Sequence, residues 1–261
     1  MRKGSRSAQA VLQANQQNTL SVAAFVDQGN RFMDEGEAGK ALESFQAAVD
    51  LLVAHRVKDD KRTAVARYNL ARALAALGKA DKAIAEYEAA LAIRPRFPEA
   101  QNNLGMLLID TGRFQEAVEL FRKAIAAEPL FASAHYGLGV ALQNLGDNTN
   151  AAVCYQKALT LKPDFYASWV NLGLICYAIG SAEVAVHCYN EAIGLCPGNA
   201  ELYFQLGLAY MMLERFADAT RAFSKALEFQ PDFTLAKDAL EEALYFKLAA
   251  PAEALPVEQA S

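Results

Sequence analysis

Residues 98–131 read PEAQNNLGMLLIDTGRFQEAVELFRKAIAAEPLF. Leu104 and Leu108 lie four apart and share one face of a helix. Ala117, Phe121 and Ala124 stand at i, i+4 and i+7 and share one face of a second helix. Gly112 falls between the two, where glycine ends a helix in the left-handed conformation at little cost. Pro129 stops the second helix. The stretch is therefore a helical hairpin, and one hairpin cannot bury both of its apolar faces alone.

The hairpin recurs. Prolines fall at Pro95, Pro129, Pro163, Pro197 and Pro231, each 34 residues after the last. The register gives units 64–97, 98–131, 132–165, 166–199 and 200–233, after an earlier, longer unit 22–63. The eighth place holds Gly29, Ala71, Gly105, Gly139, Gly173 and Gly207. The twentieth is alanine in all six units, from Ala41 to Ala219, and the twenty-seventh likewise, from Ala48 to Ala226. The twenty-fourth is Phe45, Tyr87, Phe121, Tyr155, Tyr189 and Phe223. Small residues let helix backbones approach, and the aromatic fills the remaining space. Stacked units then share one continuous core.

These residues resemble the tetratricopeptide-repeat (TPR) family over residues 22–233. The resemblance implies an all-α fold: an α-solenoid of six TPR hairpins forming a right-handed superhelix with a C-terminal capping helix. The cap is expected at 234–248, where Leu240, Ala243, Leu244 and Leu248 make one apolar stripe. A flexible segment is expected at 1–21 and a disordered tail at 249–261. The first unit departs from the pattern. Val49, Leu51, Leu52 and Val53 predict a longer second helix there, and Arg56 to Arg62 a charged linker. Glu214 replaces the turn glycine of the other units, so a different turn is expected there. The fourth place, often a bulky aromatic in this family, reads Phe25, Arg67, Gln101, His135, Trp169 and Tyr203.

Bulk composition excludes several functions. With 53% hydrophobic residues, 14 Phe and 10 Tyr, the chain can bury a large core. The formal net charge is -5 with no basic block, which argues against nucleic acid as a partner. No run of 18 apolar residues predicts a membrane span. Arg2, Lys3 and Arg6 could open a signal peptide, but Gln9, Gln13, Asn15, Gln16, Gln17 and Asn18 break its apolar stretch. Cys154, Cys176, Cys188 and Cys196 form no CxxC pair, so reduced thiols in a cytoplasmic protein are expected.

A search for chemistry finds none, and no enzyme, metal or cofactor is expected. Gly137 and Gly139 give GxG inside a helix, with Leu142 where a nucleotide loop needs its third glycine. Gly78-Lys79 lacks the first glycine and the Ser or Thr of a phosphate loop. His187, Cys188 and Cys196 match no zinc spacing. His55, His135 and His187 have no readable nucleophile partner.

The TPR resemblance implies that the first helices line a concave groove that holds a protein or peptide partner. The matching places give Asn69, Arg72 and Asn103 among polar and acidic residues in the N-terminal half. They give Tyr136, Val140, Val170, Asn171, Leu174, Tyr177, Phe204 and Gln205 in an apolar, aromatic C-terminal half. TPR co-chaperones grip acidic tails with alternating basic residues and asparagines. Here Asn30 and Asn69 match, but Val26, Glu99 and Asn103 stand where basic residues belong. In O-linked N-acetylglucosamine transferases an asparagine ladder at the sixth place holds peptide backbone. Asn69, Asn103 and Asn171 match it, Gln205 is close, and Asp27 and Gly137 break it. The expected function is a scaffold or adaptor. The alternatives are a self-assembling homo-oligomer and the recognition subunit of a glycosyltransferase-type system.

Overall fold

The computed structural model describes residues 21–55 and 61–249. The expected flexible N-terminal segment, most of the charged linker and nearly all of the tail lie outside the described residues. Thirteen helices and no strand occur among the described residues. They are α1 (residues 21–34), α2 (Ala38–Ala54), α3 (Lys61–Ala76), α4 (Ala80–Ile93), α5 (Pro98–Asp110), α6 (Phe114–Ala127), α7 (Ala132–Asn144), α8 (Asn148–Leu161), α9 (Tyr166–Ala178), α10 (Ala182–Leu195), α11 (Ala200–Met212), α12 (Phe216–Phe229) and α13 (Thr234–Ala249). In sequence they run as six first–second pairs followed by α13. The second helix of the first pair, α2, is 17 residues long against 14 for α4.

The chain forms two compact units, one up to Gly146 and one from Asp147. Within the first, α2 packs on α3, α4 on α5 and α6 on α7, so each second helix leans on the next first helix. Within the second, α8 to α13 pack in the same succession, and α13 also touches α11.

In four of the hairpins the core is a ring pressed against a glycine backbone, Phe45 on Gly29 being the first. Phe121 is fully buried. A Cβ added at Gly105, in its own hairpin, would lie 2.7 Å from that ring, and one added at Gly137 on α7 would lie 2.3 Å from it. Two helices therefore approach the same phenyl group from either side at distances that only hydrogen permits. Gly173 and Gly207 stand in the same relation to Tyr189 and Phe223.

The hairpin turns share a hydrogen-bond pattern. At Gly112 (φ 76°) the Gly112 N–H donates to Ile109 O at 2.9 Å and the Arg113 N–H to Leu108 O at 2.8 Å, the Schellman arrangement. The different turn expected at Glu214 is corrected. Glu214 adopts φ 54°, its N–H donates to Met211 O, and the Arg215 N–H donates to Tyr210 O, both at 3.0 Å. The packing of α11 on α12 holds the turn in place although its residue has a Cβ.

The capping stripe is also corrected. The inward edge of α13 is Ala236 and Ala243, with Ala239 and Leu240 packed alongside, while Leu244 and Leu248 face outward. Alanines let α13 settle closely on α12, and that rotation turns Leu244 and Leu248 away.

Two stability predictions follow from this packing. Phe121→Ala should lower unfolding free energy by about 3–5 kcal/mol, and Gly137→Ala, which drives a methyl into the ring, by about 1–3 kcal/mol. Urea unfolding followed by circular dichroism measures both. Glu214→Gly should raise stability by about 1 kcal/mol, because it removes the left-handed penalty of a residue with a Cβ. A melting temperature at or below wild type would show that the turn is unstrained.

Candidate functional site

The first helices were expected to present the binding residues, and their two rows differ. In the first unit the row is polar and largely tied to itself. Asn69 is only 4% exposed, and its Oδ1 accepts from Arg72 Nη1 at 3.2 Å. Asn103 donates from Nδ2 to the Tyr68 hydroxyl at 3.1 Å and accepts from Asn102 Nδ2 at 3.2 Å. The Tyr68 ring lies 4.9 Å from Phe97 and carries the Arg72 guanidinium 5.8 Å above it. Burial pushes the Tyr68 hydroxyl pKa up, so it stays protonated. The sixth-place asparagine on α5 thus fastens that helix to α3. Tyr136 and Val140 are half-buried on α7, and Gly137, which breaks the ladder, is the glycine against the Phe121 ring.

In the second unit the row is apolar. Val170, Leu174 and Tyr177 stand at i, i+4 and i+7 on α9, all half-buried. Asn171 donates to the Tyr155 hydroxyl at 3.3 Å, and Gln205 to Glu201 Oε1 at 2.8 Å. Phe204 faces the cap instead of open groove. Its ring lies 5.0 Å from Phe233 and 5.8 Å from Phe223, and with Leu208 and Met211 it packs against the Ala219–Phe223–Ala243 core. Helix α9 carries no Asp, Glu, Lys or Arg in thirteen residues, and α11 carries Glu201 alone. The paired helices α10 and α12 carry Glu183, Glu191, Asp218, Arg221, Lys225 and Glu228.

The fourth place has a role that the sequence did not disclose. Gln101 Nε2 donates to Pro95 O at 2.7 Å, and Trp169 Nε1 to Pro163 O at 2.8 Å. His135 Nε2 lies 3.0 Å from Pro129 O, and a carbonyl only accepts, so this nitrogen carries the hydrogen. Gln, His and Trp look unrelated, but each brings a side-chain N–H to the carbonyl of the proline six residues back. Arg67 pairs instead with Glu86 at 2.7 Å, and Tyr203 stacks on Phe229.

Two of the four thiols are held protonated. Burial pushes the Cys188 pKa up to about 12 and raises that of Cys176. A thiol held protonated is a poor nucleophile and a poor ligand. Among the described residues no three His, Cys, Asp or Glu side chains gather to hold a metal, and no helix is long and apolar enough to cross a membrane.

Stacked helical hairpins of this kind define a protein-interaction scaffold. Tetratricopeptide-repeat profiles match residues 102–164 and 200–233, and a TPR-repeat profile matches 71–109 and 173–214. The chain belongs to the tetratricopeptide-repeat family. It is similar to YrrB, a TPR protein with an unusual peptide-binding site, at 24% identity and a TM-score of 0.65, over 77% of this chain and 99% of that one. It is similar to the MamA protein at 27% identity and a TM-score of 0.60, over 64% and 92%. It also shares its fold with PilF of Pseudomonas aeruginosa, at 17% identity and a TM-score of 0.74, over 87% and 99%. No curated protein sequence matches the chain.

Trp169→Phe should cost about 0.5–1.5 kcal/mol by removing the donor to Pro163 O. Trp169→His, which restores an N–H in the manner of His135, should recover part of that loss. Equal urea midpoints for the two variants would show that ring volume, and not the hydrogen bond, matters there.

Proposed function

We propose that this chain is a non-catalytic adaptor that binds an uncharged, apolar segment of a partner protein along the first helices of its second unit. The observation that carries the reading is the segregation of charge: α9 has none and α11 has one, while α10 and α12 are charged. Val170, Leu174 and Tyr177 offer a continuous apolar stripe, and a minor part of each remains open to be covered. Asn171 and Gln205 flank it with amides, each of which has two donor hydrogens and a carbonyl acceptor for a peptide main chain. The bonds to the Tyr155 hydroxyl and to Glu201 use one donor hydrogen of each. The peptide-binding site of YrrB supports such a use of the fold.

Magnitudes limit what the stripe does alone. Covering the open parts of three side chains gives roughly 2 kcal/mol at most, since full burial of one gives about 1.5–3 kcal/mol. That falls short of about 4 kcal/mol, the value for millimolar affinity. A useful partner must therefore also bond its main chain to the amides, or reach further along the row. The role requires no cofactor.

A photo-reactive phenylalanine derivative placed at Tyr177 would capture the partner for identification by mass spectrometry. The purified partner would then be titrated against wild type and Leu174→Glu. The expected result is at least tenfold weaker binding by the variant, about 1.4 kcal/mol, with unchanged helicity. Wild-type affinity should change little from about 0.05 to 0.5 M salt, because screening acts on exposed charges. Equal affinities, or a steep loss with salt, would move the site to the polar row of the first unit, around Arg72 and Asn103.

A further inference from the structure

Helix α3 has a second face. By helical spacing Leu70 and Leu74 lie on the side opposite Asn69 and Arg72, and they floor a crevice of about 590 Å³ between α2 and α4. Leu42 and Ala47 on α2 and Ala85 on α4 also line it and stay at least partly open. Along α2 the wall runs from Leu42 to Asp50, about 12 Å at 1.5 Å per residue.

The two walls carry opposite charge. Glu43 and Asp50 stand on α2, and Lys79 and Lys82 stand at the start of α4. Among the described residues none of these four is in an ion pair. Asp50 accepts only the Gln46 amide, at 2.9 Å. The charges beside them are already taken up. Arg67 holds Glu86 at 2.7 Å, and Lys40, a turn before Glu43, holds Glu37 at 2.5 Å. Asp81 lies seven residues before Glu88, so it shares the α4 face of that residue, which lines a different crevice. Two carboxylates and two ammonium groups thus border one apolar floor without closing on each other.

The same crevice recurs where Leu104 and Leu108, or Leu206 and Tyr210, take the places of Leu70 and Leu74. It is smaller there, about 390 and 290 Å³, and its charges pair mostly along one wall. Arg113 holds Glu116 and Arg122 holds Glu119 in the first of these. Arg215 and Arg221 hold Asp218, and Lys225 holds Glu228, in the second. Glu88 and Lys123 are the exceptions. Size and open charge therefore coincide at α2–α4.

We infer that the α2–α4 crevice receives an amphipathic helix of a partner protein, its apolar stripe bordered by Lys or Arg on one side and by Asp or Glu on the other. The shape selects a helix: a trough between two helices takes the side-chain ridge of a third. An extended chain would turn every second side chain away from the floor. The charges select the mixed border, because a segment of one sign would meet repulsion at one wall. This site is independent of the apolar stripe on α9, and a chain that uses both joins two partners.

Three fluorescein-labelled helical peptides of equal length, titrated with the full chain and read by anisotropy, test this. All carry the same leucine stripe. One has Lys along one border and Glu along the other, the second has Lys along both, and the third has Glu along both. The mixed peptide should bind at least tenfold more tightly than either of the others, and its affinity should fall as salt rises. Reversing one wall should reverse the choice. A chain with Glu43→Lys and Asp50→Lys should prefer the all-Glu peptide at least tenfold, and one with Lys79→Glu and Lys82→Glu the all-Lys peptide. Both should keep wild-type helicity, because all four positions are exposed. Leu174→Glu should bind the mixed peptide as wild type does, so that failure here is distinct from failure of the α9 site. The inference is overturned if the three peptides bind wild type alike or not at all, or if either reversal leaves the preference unchanged. Loss of mixed-peptide binding in Leu174→Glu overturns it too, because the peptide would then lie on α9.

Discussion

The contact on which the solenoid depends is a phenyl ring against a Cα hydrogen. Phe121 touches Gly105 on one side and Gly137 on the other, at separations that no side chain tolerates. The spacing of three helices is set by the thickness of one ring, and at Tyr189 and Phe223 a glycine of the same hairpin, Gly173 or Gly207, sets the spacing of two. Dispersion falls steeply with distance, so close seating also gives each ring full contact with its surroundings. Invariant alanines on the second helices keep the remaining approaches equally short.

With packing assigned to glycine, alanine and one aromatic per unit, other positions are free to differ, and they differ by helix. In the second unit the second helices hold most of the ion pairs, as where Arg215 and Arg221 both reach Asp218. The first helices give up charge almost entirely. A surface with so little charge discriminates weakly by electrostatics, so selectivity must come from the shape of the apolar stripe and the placement of its amides. The first unit combines the same core with a polar row whose asparagines and tyrosine bond mainly to one another.

The repeat length, the all-helical class and the ring at the twenty-fourth place were legible in the sequence, because each rests on a pattern that recurs in five or six units. The turn at Glu214 was misjudged because its conformation is imposed by the packing of α11 on α12, which outweighs the local preference for glycine. The capping helix was legible, but Leu244 and Leu248 were misplaced in its inward stripe because hydrophobicity favours leucine over alanine at a buried edge, whereas close approach favours alanine. The groove was legible only in outline. Spacing put Asn69, Phe204 and Val170 in equivalent roles, but whether each side chain is open depends on its neighbours. Arg72 lies over Asn69, Phe233 and α13 cover Phe204, and Val170 stays partly open. The donor role of the fourth place escaped because chemically unlike residues satisfy it.

That last feature has an optical consequence. Trp169 is the chain's one tryptophan, and its indole is bonded to the carbonyl that ends the preceding hairpin. Its emission therefore reports the opening of a single junction, while circular dichroism averages over every helix. In a stack held by nearest-neighbour contacts, end repeats fray before interior ones. A denaturant titration read both ways would show whether this junction opens in step with the bulk of the helices or apart from them, and so how far cooperativity extends along the chain.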